Sequence, residues 1–500
     1  LNNAKPNTIK LNQKVAAMKK HIITIWAMAL MLAVAMPLSA QIGNLKNVKK
    51  NVPGTKQVTE TVKKSASSEK SEEPKSEAKT SEKTSATATP PESKSALYVS
   101  ISSGKNQNDG SKESPLKNID KAIAVAQPGG EIRVAGGVYM GTLNVGFIES
   151  NKPVKIYGSF DETFTTQDIA THPTVIQPSN ESARSTRKAV FKFTKDVKGT
   201  VIDNLVFDGG ERNAYHADEG MVEGVEGGRL LPETERPKDG NSTVHEPLLQ
   251  FMSATTGGDV TVQNCIFVNG ASFALQAGHR SGKFTVKNNV FIANKMAAIE
   301  IYGTCASTGG PNTMALCGEV EVANNTILFT WSRTKDFLDM GYGVRIMTKL
   351  DYNIHNNIIG GSILAAIDHT RFNKNEWIKV DNNIFFVNKD KDFHYSPASN
   401  TRLRIDAADF GDIEIASVEG NKNEIPAGLK INKAYLEGYL SARYSEQADF
   451  DRNSQANQWR SAMGMNMQGT ISSSVTMFGN KYPWREASKL FGNVSGYGAQ

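Results

Sequence analysis

The sequence predicts an all-β fold: a right-handed parallel β-helix solenoid with a short N-terminal capping helix and a mixed C-terminal cap. Three observations predict it. A hexad of the form apolar, any, Asn, any, apolar, apolar recurs six times. Its copies mostly lie about two to four dozen residues apart, the spacing range of solenoids. A strand, a short helix and glycine-cornered strands precede the copies, the kind of cover an open solenoid end requires.

Residues 1–17 stand upstream of Met18, a plausible start. Met18-Lys19-Lys20-His21, the apolar run Ile22–Met36 and Pro37-Leu38-Ser39-Ala40 follow the order of a secretory signal peptide, so 18–40 is expected to be removed. The apolar run is too short for a comfortable membrane span, and no second long one follows. No stable span is therefore expected after cleavage. Residues 41–95 are Lys, Glu, Ser, Thr, Ala and Pro with almost no large apolar side chain, which reads as a disordered spacer. Export to the periplasm, the outer surface or the medium is the expected destination.

The folded body is expected over 96–418. Leu97–Ile101 reads as a strand. Ile119, Ala122, Ile123 and Val125-Ala126 fall at helical spacing, and Pro128-Gly129-Gly130 ends that helix. Glu131–Ala135 is the next strand. The hexads then begin at Ile202 and recur at Val262, Val286, Val322, Ile354 and Val380, centred on Asn204, Asn264, Asn288, Asn324, Asn356 and Asn382. Asn tolerates left-handed backbone better than other residues with a Cβ, so it suits a sharp corner between strands. Stacked coils, ~4.8 Å apart, would bring these amides into a ladder. The polar insertion 211–244 fits a corner loop grown outward. Residues 419–500 are expected to form the C-terminal cap that shields the last coil.

The 57 Lys and Arg exceed the 51 Asp and Glu by only six, with both signs interspersed. No basic stripe carries interleaved aromatics, which argues against nucleic acid as a partner. Cys305 and Cys317 bracket a Gly/Pro/Ala-rich loop, and a disulfide between them suits an exported chain. Cys265 lies in an apolar strand and reads as a buried small hydrophobe. No Cys or His pair has metal-ligand spacing. Calcium on Asp109 and Asp120 is conceivable, but Asn108-Asp109-Gly110 is the more ordinary signature of a turn. A monomer is expected.

The Asn corners, together with Asn108–Ser111, Pro115–Ile119, Ala122-Ile123, Pro128-Gly129, Gly137–Tyr139 and Ile156–Thr163, resemble the pectin-lyase-like right-handed β-helix superfamily. The resemblance covers about Ala96 to Ile415. It implies a fold, and a polysaccharide partner on an exposed sheet, but no particular reaction, because that superfamily holds lyases, hydrolases, esterases and non-catalytic surface proteins.

Strand alternation locates that sheet. Leu275, Ile299 and Val344 should point inward, leaving Gln276, Glu300 and Arg345 outward at successive levels. Asp368, His369 and Arg371 follow on the next strand, and His279 and Arg280 extend from the first. A lyase needs a cation to neutralise a uronate carboxylate and a base to take the adjacent proton. Arg345 fits the first role, and His369 or Arg371 the second. A hydrolase needs paired carboxylates, for which Glu300 and Asp368 are the candidates. Tyr302 and Trp331 are candidate sugar platforms, with Gln276, His279, Arg280 and Arg371 as polar contacts. Against a catalytic reading stands an ordinary ion pair between Glu300 and Arg345. Enzyme and non-catalytic binding protein both remain open at this point.

Overall fold

The computed structural model describes residues 96–139, 148–177, 190–209, 215–216, 220–221, 247–252, 257–306, 315–332, 340–370, 372–398, 400–441, 452–467 and 481–500. Contacts divide the chain into Leu1–Ala88 and Thr89–Gln500, and every described residue belongs to the second unit. The expected leader 18–40, the whole of the expected spacer 41–95, Arg371 and nearly all of the insertion 211–244 lie outside the described residues.

The strands stack into three nine-stranded sheets, and the chain visits them in rotation. Sheet I contains Val260–Gln263, Lys283–Lys287, Glu319–Ala323 and Asp351–His355. Sheet II contains Ile266–Val268, Val290–Ile292, Thr326–Leu328 and Ile358–Gly360. Sheet III contains Leu275–His279, Ala297–Gly303, Tyr342–Ile346 and Ile367–His369. Neighbouring strands pair parallel and in register, so Val262 aligns with Val286 and Val286 with Val322. This is the predicted right-handed parallel β-helix.

Inward side chains form continuous files. Phe207, Phe267 and Phe291 stack with ring centroids 4.8 and 4.6 Å apart. Phe193 stacks on Phe251 at 4.8 Å. Each ring meets its copy one strand spacing away, as the inter-strand distance dictates. At the N-terminal end, helix α1 (Ile119–Val125) buries Ile119, Ala122 and Ile123 against the first coil.

Between sheets I and II, all six hexad Asn residues have φ of 53–59°. The left-handed corner is therefore where it was expected. The continuous amide ladder, however, runs one residue later, through Asn289, Asn325, Asn357, Asn383 and Asn421. Asn289 Nδ2 donates to Asn325 Oδ1 at 3.0 Å, Asn325 Nδ2 to Asn357 Oδ1 at 3.0 Å, and Asn357 Nδ2 to Asn383 Oδ1 at 2.9 Å. Each backbone N–H donates to the same oxygen, as Asn325 N does to Asn357 Oδ1 at 2.8 Å. Among the left-handed residues, Asn288 reaches Asn264. The reason is geometric: the corner residue points out to solvent, and its successor turns inward, where unpaired amides are costly. Cys265 takes that inward position in an earlier coil, where it is free and fully buried.

The C-terminal region also departs from expectation. Coil pairing continues past 418, because Lys422-Asn423 pairs with Ile384-Phe385. The last coil is closed by residues 403–413, not by 419–500. Phe410 plugs the interior edge-on against Phe385 and Phe393, at 5.4 and 5.8 Å. The described stretches 429–441, 452–467 and 481–499 instead form an arm that lies along the outer side of sheet II. Its helices α2 (Lys433–Ser441) and α3 (Gln455–Ala462) supply Tyr435, Leu436, Tyr439 and Trp459 to a cluster with Val290, Leu328, Ile358 and Ile384. Trp459 stacks on Phe329 at 5.5 Å, and Tyr439 Oη donates to Gly361 O at 2.8 Å. Gly361 eases that approach: its φ is 65°, and a Cβ would stand 3.2 Å from the Trp459 ring, a tight contact. Inside the arm, buried Arg460 makes two 2.9 Å bonds to Glu437.

Candidate functional site

Sheet III carries one polar residue per level at the outward position. Register aligns Glu149, Lys192, Gln250, Gln276, Glu300, Arg345, Asp368 and His394 in one column, and Arg404 follows on an antiparallel edge strand. The inward positions at the same levels are Phe191, Leu249, Leu275, Ile299, Val344, Ile367 and Phe393, all fully buried. Alternation of side chains along a strand produces both files from one sequence pattern.

Neighbouring side chains in the column are bonded to each other. Gln250 Nε2 donates to Gln276 Oε1 at 2.9 Å, and Gln276 Nε2 to Glu300 Oε1 at 2.8 Å. Arg345 Nη1 donates to Glu300 Oε2, and Arg345 Nε to Asp368 Oδ2 at 3.1 Å. Arg402 Nη2 takes the remaining Asp368 oxygen and also donates to His394 Nδ1 at 2.9 Å. With Nδ1 accepting, the ring proton of His394 sits on Nε2, which donates to Asp390 O at 2.8 Å. Arg404 Nε lies 3.2 Å from Asp390 Oδ2. The chain of bonds is unbroken from Gln250 to Arg402.

Glu300 and Asp368 are 5% and 2% exposed. All four of their carboxylate oxygens accept from neighbours. Burial works against the charge of Arg345, but Glu300 and Asp368 outweigh it and hold the guanidinium above its ordinary pKa. Burial, with the Asp368 charge, pushes the Tyr342 hydroxyl up to about 12. The His394 pKa is lowered by burial and then by Arg402.

The structure brings Gln276, Glu300, Arg345 and Asp368 together as the sequence predicts. It places three other candidates elsewhere. His369 is fully buried, because it follows outward Asp368 on a strand and must therefore turn in. Its Nε2 bonds Asn373 O at 3.2 Å, and its ring stacks on Tyr395 at 5.6 Å. His279 is likewise inward, bonded to Gly282 O at 2.9 Å and edge-on to Phe284. Burial lowers the pKa of both rings. Trp331 lies beneath the C-terminal arm, donating to Tyr435 Oη at 3.0 Å, and offers no face to a sugar. Tyr302 stands outward two residues beyond Glu300, half-buried, with its pKa raised by burial and then by that carboxylate. Arg280 is exposed at the end of its strand.

Cys305 and Cys317 form a disulfide with Cα atoms 5.4 Å apart, at the rim of the same sheet. Asp109 Oδ1 accepts from Ser111 N at 2.9 Å in a local turn, which lowers its pKa. Among the described residues no three His, Cys, Asp or Glu side chains cluster as metal ligands, and no helix is long and apolar enough to cross a membrane. Arg402, His394 and Gln250 belong to the site, yet sequence reasoning did not assign them to it. Arg402 reaches the column from an antiparallel return, which no parallel repeat announces.

Residues 102–179 match the family model described as "Protein of unknown function (DUF1565)". No curated protein matches the chain. Among solved structures, a complex of XylC with xylose is 13% identical, with a TM-score of 0.31, over 60% of this chain and 63% of that one. A GH136 lacto-N-biosidase from Eubacterium ramulus is 11% identical, with a TM-score of 0.31, over 60% and 57%. The pectate lyase Pel9A is 11% identical, with a TM-score of 0.33, over 76% and 89%. The chain spans less than two thirds of the length of the first two, and likenesses of this degree assign it no reaction. Three stacked parallel sheets, turned at left-handed asparagine corners, make this chain a right-handed parallel β-helix, the fold its sequence predicts.

Proposed function

We propose that this is an exported β-helix protein that binds polysaccharide along the outer column of sheet III and does not cleave it. The observation that carries this is the closed bonding of the charged residues. A hydrolytic pair would need room for water between Glu300 and Asp368 or a sugar-facing carboxylate. The Arg345 guanidinium occupies that interval. A lyase would need a free cation and a neighbouring base. Arg345 is engaged by two carboxylates, and His369 faces the interior.

Binding asks less of the same groups. The part-exposed Gln276 amide and the Arg345 and Arg402 guanidinium edges, held in place by the carboxylates beneath them, present hydrogen-bonding sites on strands ~4.8 Å apart, a periodic surface for a linear polymer. Half-buried Tyr302 adds an aromatic edge beside it. The signal-like segment 18–40 supports export, and the spacer 41–95 would hold the body away from its point of attachment or release.

The test is affinity electrophoresis of the secreted protein in gels containing neutral or uronate-bearing polysaccharides, with ultraviolet absorbance of the incubated polymers followed in parallel. Retardation without formation of unsaturated products is expected. Gln276→Ala combined with Arg402→Ala should weaken retardation at least fivefold while the protein stays folded. Turnover of any polymer in the panel, or undiminished retardation of the double variant, would sink the proposal.

A further inference from the structure

On the opposite side from that column, the N-terminal coils and the C-terminal arm enclose a cleft of about 300 Å³, continuous at Trp484 and Arg485 with a second of about 200 Å³. Its walls come from three distant stretches of chain: the first corner at Gly136–Val138, the loop Phe160–Pro173, and the arm at Trp484-Arg485. Tyr482 fixes the arm there, since its N–H donates to Asn269 Oδ1 at 2.7 Å and its carbonyl accepts from Asn269 Nδ2 at 2.9 Å.

The lining is mixed in a specific way. Val138, 39% exposed, and Phe160 give an apolar floor. Trp484 is a partly exposed indole, and the Arg485 guanidinium lies 4.3 Å from the centre of its ring. Arg485 has no carboxylate partner among the described residues. Glu162 is held by Ser100 Oγ at 2.7 Å and Ser103 Oγ at 3.3 Å, both on Oε2. Its Oε1 accepts from no side chain among the described residues. His172 completes the polar rim.

We infer that this cleft is a second binding site, for one neutral sugar residue, independent of the sheet III column. Its volume lies at the small end of ligand sites. A sugar ring has one face of C–H groups and an edge of hydroxyls. The indole and Val138 suit the face, because aromatic and aliphatic surface can bury apolar hydrogens. A carboxylate oxygen that only accepts and a guanidinium that only donates suit adjacent hydroxyls, which do both. The formal charges of Glu162 and Arg485 cancel, so a neutral ligand leaves the cleft neutral, whereas a uronate would add one uncompensated negative charge.

Isothermal titration of the secreted protein with neutral monosaccharides and disaccharides, and with the matching uronic acids, tests this. A neutral sugar should bind, and the acids should bind at least tenfold more weakly. Trp484→Ala should lower affinity for the sugar at least tenfold, and Glu162→Gln about threefold or more. Glu162 and Arg485 are exposed, so Glu162→Gln and Arg485→Ala should melt as the parent does and keep the test valid if Trp484→Ala loosens the arm. Polymer retardation through sheet III should persist in all three variants. No neutral sugar binding, preference for the acids, or binding unchanged by both Trp484→Ala and Arg485→Ala would overturn the inference.

Discussion

The outer sides of sheets II and III are built from the same coils, yet they are opposites. On sheet II the outward file from Val175 onward reads Val175, Val206, Ile266, Val290, Thr326, Ile358, Ile384 and Lys422, apolar in six of these eight places, and the arm covers much of it. On sheet III the outward column from Gln250 to His394 is charged, amide-bearing or imidazole, and its members and Arg402 bond to one another. A solenoid repeat therefore fixes the interior but leaves each outward file to be set separately. Apolar side chains recruit another part of the chain, and polar ones leave a face for solvent and ligand.

The largest expected effect is on the covered side. Trp459 is fully buried, stacked on Phe329 and edge-on to Phe386. Trp459→Ala should cost ~3–5 kcal/mol. Proteolysis should then cut the arm before the coils, and simultaneous loss of arm and coils would show that the two unfold as one.

On the polar side, Arg345→Ala leaves Glu300 and Asp368 buried with their common partner gone. A loss of ~3–5 kcal/mol is expected, the range for breaking a buried pair by removing one partner. Arg345→Met should be similarly harmful, because it restores volume but not charge. If chemical denaturation finds both within ~0.5 kcal/mol of the parent, the column is an ordinary surface network.

A smaller effect sits where the two sides meet the end plug. Asp392 accepts from Asn388 Nδ2, Ala407 N and Asn423 Nδ2 at 2.8, 2.9 and 3.1 Å. Burial nevertheless raises its pKa from 3.8 to about 6. A carboxyl with a raised folded pKa contributes most below its unfolded value and loses that contribution as pH climbs through the folded one. The stability of the parent and of Asp392→Asn, compared by denaturation across that window, should shift in favour of the variant as pH rises, by an amount on the order of 2–3 kcal/mol. A difference that does not change with pH would mean that Asp392 stays ionised throughout.

The comparison also shows what was legible in the residues. The first corner was readable because Asn meets a backbone demand that few side chains meet, six times in the same frame. Parity placed Gln276, Glu300 and Arg345 outward, and the same parity, carried one residue further, turns His369 inward. The second corner had no signature. Asn269, Ala293, Phe329, Gly361 and Val387 all take positive φ there, so packing under the arm, not intrinsic preference, holds most of them. The arm itself was read as an end cap because apolar bulk in a sequence names no partner. Its docking on sheet II depends on contacts such as Asn269 with Tyr482, 213 residues apart. Arg402 was invisible for the same reason.

That return of the arm sets a schedule for synthesis. A ribosome delivers the winding before the strip that cloaks it, and domains fold in that order as they emerge. From the completion of the Ile358 rung until Trp459 is made, roughly a hundred codons later by their numbers, a greasy flank of the nascent product stands bare. Anything that stalls translation in that interval yields a well-wound but sticky particle, so the hazard of aggregation belongs to one brief period of the molecule's making.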